Sequence, residues 1–198
     1  MTGAFPTLIM LIFAYLLGSV SSAIVVSKLM GLPDPRSSGS GNPGATNVLR
    51  VGGKRAGALT LIGDVLKGFL PVLVAKACDF SDTVVAITAL LAFLGHLYPI
   101  YFGFKGGKGV ATGLGVLLGL APALAGIVLG IWLLILALFR YSSLAALTAV
   151  VLGLVYAWGE VPANYYVVDV IITLAILWRH RANIGRLLKG TETKVGQR

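Results

Sequence analysis

Residues 109–139 carry no charged side chain, a run longer than the about 20 apolar residues that one helix needs to cross a bilayer. Ala121 and Pro122 stand near its middle, and a proline inside a helix removes a backbone donor and clashes with the preceding turn. We read two crossings here: a half-length helix over Val110–Leu120 and a second helix from about residue 123 to 139. Three further charge-free runs, at 1–27, 83–104 and 141–159, each suffice for a span. Residues 57–76 and 161–178 span as well if each tolerates an internal polar group, which brings the total to seven.

The composition leaves no aqueous alternative. Hydrophobic residues make up 57% and charged ones 12%, with a mean hydropathy of +0.92, whereas a soluble domain has about 25% charged residues to cover itself. The expected fold is all-α, a single polytopic membrane domain over residues 1–198. No basic segment precedes the first apolar run, which reads as a membrane helix and not as a removable signal. Cys78 is the single cysteine, so an internal disulfide is excluded and no metal-ligand spacing exists. Neither a metal, a cofactor nor a nucleic-acid partner is expected, and the oligomeric state is left open.

Charge asymmetry tests the count of crossings, because cytoplasmic loops collect Lys and Arg. Seven crossings with the N-terminus outside put fourteen basic residues, from Lys28 to Arg198, on the cytoplasmic face and only Lys76 on the other. Reading 109–139 as one crossing splits them seven against eight. The C-terminus is therefore expected in the cytoplasm. Within the membrane only Asp64, Lys67 and Asp169 are ionisable. Asp64 and Lys67, three residues apart, can neutralise each other on one helix face, as a functional pair or a structural clasp. Asp169 pairs with a neighbouring helix or stays protonated. Gly115 with Gly119, and Gly126 with Gly130, have the small-xxx-small spacing that lets helices pack closely in lipid.

Three polar segments then meet at the cytoplasmic face. The first, residues 37–47, formally holds G-x-G-x-x-G, but that fingerprint requires a strand and a βαβ unit and here follows a membrane helix. Its backbone N–H groups, with the hydroxyls of Ser38, Ser40 and Thr46, would instead surround an anion. Asn42 as N-cap and Pro43 as first residue would start a short helix that carries Arg50 and ends before Gly52 and Gly53. The second segment, residues 95–112, is not a Walker A motif, since the spacing fails. Lys105 and Lys108 lie among Gly103, Gly106, Gly107 and Gly109 just before the half-length helix. That helix would aim its positive end at the surface, an anion site, although attraction to anionic lipid would also use lysines. The third, from Arg179, would place Arg179, Asn183 and Arg186 on one helix side beside His180, which flanking arginines would keep neutral.

These motifs, at residues 38–47, 95–112 and 179–190, resemble those of the bacterial acyl-phosphate-dependent glycerol-3-phosphate acyltransferases, the PlsY family, and the similarity runs nearly end to end. The resemblance implies transfer of a fatty acyl group from acyl phosphate to the 1-hydroxyl of glycerol 3-phosphate at the bacterial inner membrane. Lysophosphatidic acid and phosphate would be the products, the first step of phospholipid synthesis. It assigns the chemistry to Ser40, Arg50, Lys108, His180 and Asn183. Ser38, Gly39, Gly41, Asn42, Thr46, Asn47, Lys105, Gly106, Gly107, Gly109 and Thr112 are the residues expected to bind the substrate phosphates.

The residues fit a direct attack. An acyl phosphate already has a good leaving group, and the chain has neither a G-x-S-x-G elbow nor an H-x-x-x-x-D pair, since Tyr101 and Gly185 stand five after His96 and His180. Both His180 and a substrate phosphate oxygen are open as proton acceptor. The main rival is an organic-phosphate or lipid transporter, which would place its site near the bilayer midplane on broken helices; a subunit that only binds anionic lipid is a second.

Overall fold

The computed structural model describes residues 3–197. Met1, where the first run begins, and Arg198, one of the basic residues counted above, lie outside them. Among the described residues the regular structure is helical: α1 (Ala4–Gly18), α2 (Ser22–Leu29), α3 (Ala45–Ala77), α4 (Asp82–Leu97), a 3-10 turn at Ile100–Phe102, α5 (Val110–Leu120), α6 (Pro122–Phe139), α7 (Ser142–Ala157), α8 (Ala163–Arg179) and α9 (Arg181–Leu188). The stretches Ala45–Ala77, Asp82–Phe102 and Pro122–Phe139 are long and apolar enough to cross a membrane, and α1 with α2 form a bent pair of the same character. Large apolar side chains such as Phe5, Leu8, Leu134, Leu138, Val155 and Leu174 face outward, as they do where lipid is the solvent.

The half-length helix forms over the expected residues, with Gly109 as its N-cap at φ +92°, a left-handed angle that costs a side-chain-bearing residue about 1 kcal/mol or more. Pro122 opens α6 at a position where its missing N–H is harmless. Other expectations change. The run 1–27 is not one straight helix, because α1 and α2 meet at 50° around Ser19–Ser21. Gly18 lies so close to the Ala92 carbonyl that a Cβ would overlap it, and this seats α1 on α4. The Val20 carbonyl released at the bend accepts from Lys67 Nζ at 2.8 Å, and the same ammonium lies 2.8 Å from Asp64 Oδ1. The intramembrane lysine thus satisfies a broken helix. Helix α3 begins at Ala45 with Gly44 as N-cap, so Asn42 and Pro43 stand before the helix, not in its first turn. The break at Gly53 (φ +82°) ends its first two turns, as the paired glycines require.

Packing separates the two glycine pairs. A Cβ on Gly115 would overlap the Val65 carbonyl, and one on Gly119 would meet the Val72 side chain at 2.7 Å, so α5 lies directly on α3. Gly126 and Gly130 have nothing within 4 Å of a built Cβ, which corrects the expectation that they serve helix packing within this chain. Lys76, the one basic residue expected on the outer face, donates to the Leu120 carbonyl at 3.0 Å and closes the far end of α5. Phe93, Leu97, Val116, Ile172 and Ile176 form the buried centre between α4, α5 and α8.

Candidate active site

A cavity of about 670 Å³ opens at the basic end of the bundle and runs inward between α3, α5, α6, α7 and α8. Its mouth is polar, with Asn42, Thr46, Arg50, Lys108, Ser142, Ser143, His180, Asn183, Arg186 and Glu192 in the wall. Its depth is mostly apolar, with Leu61, Leu117, Leu118, Val128 and Ile172, although Asp64, His96 and Asp169 also belong to the wall. One volume therefore offers cations and amides to an anion and hydrocarbon to a chain.

The polar end is organised around two side chains. Asn183 is buried; its Oδ1 accepts from Lys108 Nζ, and its Nδ2 donates to Glu192 Oε1 at 2.6 Å. Glu192 also accepts from Ser143 Oγ at 2.7 Å and from Arg186 Nε at 2.6 Å. Burial pushes the Glu192 carboxyl up, but the hydrogen bonds of Ser143, Asn183 and Arg186 outweigh it and hold it below the usual range. Lys108 is pulled down to about 8, first by burial; Glu192 opposes the fall, and Arg186, Arg179 and Arg50 add to it. His180 caps α8, and its Nδ1 lies 2.8 Å from the Ile176 carbonyl. That contact places the ring proton on Nδ1 and leaves Nε2 as acceptor. Burial and then the Lys108 charge bring His180 down to about 4, so it is neutral at pH 7. Burial, and not the flanking arginines, is the larger cause.

Of the expected site residues, Arg50, Lys108, His180, Asn183, Asn42, Thr46 and Gly109 line this cavity. The rest stand around it. Ser40 and Gly41 use their N–H groups inside the loop, on Asn47 Oδ1 (2.8 Å) and the Ser38 carbonyl (3.1 Å). This corrects the picture of the first loop as a cradle of inward amides at those two positions. Asn47 is the staple that shapes it, since its Nδ2 donates to the Pro35 and Ser38 carbonyls at 2.9 Å each. Ser38 and Gly39 lie in the same stapled turn, and the Ser40 residue is exposed. In the second loop Lys105 is exposed and Thr112 is buried with its backbone against Gly68. The Gly106 N–H is spent on the Leu97 carbonyl at 3.2 Å. The Gly106 and Gly107 carbonyls accept from Arg179 at 2.6 and 3.0 Å. Arg179 therefore pins the loop, while Asn183 and Arg186 turn to Glu192, so the three do not act as one helical side. A Cβ on Gly107 would overlap the His96 ring. What these contacts deliver is Lys108 and the opening turn of α5, with Gly109, Val110 and Ala111 in the cavity wall and the first-turn N–H groups without helical partners.

Sequence reasoning missed Glu192, Ser142 and Ser143, and it paired Asp64 with Lys67 alone, without His96, whose ring nitrogen lies 3.6 Å from the Asp64 carboxylate in the same wall. A signal existed for Glu192, the one acidic residue after Asp169.

A model of the family described as glycerol-3-phosphate acyltransferase matches residues 8–190. The glycerol-3-phosphate acyltransferases of Thioalkalivibrio sulfidiphilus and Methylococcus capsulatus are 56% identical over 186 residues and 55% identical over 185. They cover 93% of this chain in both cases, with 92% and 93% of the relatives' own lengths. The crystal structure of PlsY, an integral membrane glycerol 3-phosphate acyltransferase, superimposes in its glycerol 3-phosphate form with a TM-score of 0.92 at 44% identity, over 96% of both chains. Its lysophosphatidic acid form superimposes with a TM-score of 0.88 at 43% identity, over 96% of this chain and 95% of that one. The chain belongs to the glycerol-3-phosphate acyltransferase family of integral membrane enzymes.

Proposed function

We propose that the cavity transfers a fatty acyl group from acyl phosphate to the 1-hydroxyl of glycerol 3-phosphate, giving lysophosphatidic acid and phosphate. The observation that carries this is the cavity's division, with cationic and amide groups at the mouth and hydrocarbon in the depth. The glycerol 3-phosphate and lysophosphatidic acid forms of the PlsY structures support the acceptor and the product.

In this reading Lys108, Arg50, Arg186 and the first turn of α5 hold the two phosphates, and the acyl chain lies among the leucines below. The hydroxyl oxygen attacks the acyl carbon, the bond from that carbon to the phosphate oxygen breaks, and phosphate leaves with both electrons. The hydroxyl proton needs an acceptor. His180 Nε2 accepts its hydrogen bond and aims it, but a ring brought down to about 4 is a weak base. A phosphate monoester oxygen with a pKa of about 6 is stronger, so the proton goes to substrate phosphate. Positioning and electrostatics supply the rate, and no covalent intermediate is needed.

Seven crossings, counting α1 with α2 as one, with the C-terminus in the cytoplasm, would put this mouth at the cytoplasmic face of the bacterial inner membrane. The distribution of Lys and Arg supports that orientation. Exposed Cys78 would then react with an impermeant thiol reagent from outside sealed cells; labelling from the cytoplasmic side instead reverses the topology. For the chemistry, purified protein is given long-chain acyl phosphate and glycerol 3-phosphate and phosphate release is followed. Acyl-CoA should leave the rate near background, and equal rates with acyl-CoA overturn the donor assignment.

A further inference from the structure

One strip of the cavity wall leads from the phosphate chemistry into the apolar depth. On α8, Asp169, Ile172 and Ile176 line the cavity, as does His180 at its cap, at spacings of three and four that share one helix face. The strip starts in the polar cluster at His180, passes two isoleucines and reaches Asp169 eleven residues earlier, about 16 Å along the axis at 1.5 Å per residue. Tyr165, the next position on that face, is not in the wall. It is buried, its hydroxyl donates to Asp82 Oδ1 at 2.9 Å, and Lys76 Nζ lies 5.3 Å from its ring centre. Along this strip the cavity ends at Asp169.

Asp169 is 4% exposed, and its Oδ2 has no hydrogen-bond partner among the described residues. Val128, Ala149 and Val150 are apolar members of the same cavity wall. A carboxyl in such surroundings is costly, and no contact within the described fold repays it. Its effect falls on whatever fills the cavity beside it.

We propose that Asp169 determines acyl chain length by meeting the methyl end of the bound chain, so that donors of about 12–14 carbons are used in preference to those of about 18. The proposal rests on the acyl-transfer reading above. Carbon–carbon bonds of about 1.5 Å at tetrahedral angles advance about 1.25 Å per carbon, so about 13 carbons cover the 16 Å from a carbonyl beside His180 to Asp169. A chain of that length runs past both isoleucines and ends at the carboxyl without passing it. A longer one presses methylenes onto an unpaired carboxyl, or bends aside between the exposed Leu118 and Leu129.

The test is kcat/KM of the purified full-length protein in nanodiscs, at saturating glycerol 3-phosphate, for acyl phosphates of increasing chain length. The wild type should lose about tenfold between the 14- and 18-carbon donors. Asp169→Leu should remove that loss and keep the 12-carbon rate within about twofold, while Asp169→Asn, still polar, should keep the wild-type profile. Parallel profiles for wild type and Asp169→Leu overturn the chain-length role and leave acyl transfer standing. Absence of phosphate release from every acyl phosphate overturns both. Should Asp169→Leu not fold, Asp169→Ala, which only removes atoms, makes the same comparison with the same two outcomes.

Discussion

Lys67 and Lys108 are both drawn away from solvent, one inside a membrane helix and one in the loop before α5, and they keep different company. Lys67 lies 2.8 Å from a carboxylate and 2.8 Å from the carbonyl freed by the bend between α1 and α2. Its charge is cancelled where it stands. Lys108 bonds to a neutral amide, with Arg50, Arg179 and Arg186 near enough to depress its affinity for a proton and Glu192 alone opposing them. That region keeps an excess of positive charge in the cavity wall. A buried cation with its own counter-charge holds the fold, whereas one left in surplus is held ready for an anion from outside.

Removing each charge in turn separates the two roles. Lys108→Met should lower turnover by about 100-fold or more, with the protein still folded; a rate within a few-fold of wild type would take Lys108 out of the site. Lys67→Met should do the reverse. It strands Asp64 and the Val20 carbonyl and should cost about 3 kcal/mol of stability, read as a lower unfolding midpoint in detergent. Turnover per folded molecule should stay within a few-fold. Adding Asp64→Asn should restore part of the lost stability, and failure to do so would mean that Lys67 serves the bend alone.

The same contrast has a pH signature. Lys108 is protonated below about 8 and neutral above it, so its hold on a phosphate is present below that pH and lost as pH rises through it. KM for glycerol 3-phosphate should climb about tenfold per pH unit beyond 8. Lys108→Arg, whose guanidinium does not titrate there, should flatten the rise. Equal slopes in the two proteins would assign the titration to another group.

How much of this can be read from the residues alone follows the same division. The half-length α5 was legible because a charge-free run too long for one crossing carries a proline at its middle. Lys108, His180 and Asn183 were singled out by the resemblance of their motifs to the acyltransferases, and the fold brings all three to one cavity wall. The bend at Ser19–Ser21 was not, since its causes are the Ala92 carbonyl against Gly18 and the reach of Lys67 to Val20, contacts across 47 and more positions of chain. Glu192 follows the last helix in a polar tail where an acid is ordinary, and only the return of that tail to Arg140, through Val195 N–H at 2.7 Å, brings it to Asn183. The first loop misled because hydroxyls and glycines advertise donors without saying whether Asn47 already accepts from them.

The smallest effect concerns two glycines that look alike as sequence. Gly115 and Gly130 each belong to a small-xxx-small pair in an apolar helix, yet a Cβ at Gly115 would overlap the α3 backbone at Val65 and one at Gly130 would touch nothing within 4 Å. Gly115→Ala must therefore push α5 off α3, an overpacking cost of about 1–3 kcal/mol. It should also weaken turnover, because α5 carries Gly109 and the first-turn amides of the cavity. Gly130→Ala fills open space and gains helix propensity, worth up to about 1 kcal/mol in water, so its unfolding midpoint should equal or exceed that of wild type. If Gly130→Ala instead destabilises the protein as much as Gly115→Ala, that face of α6 is packed against a second molecule in the membrane, and the contrast between the two helices would lie in what covers them.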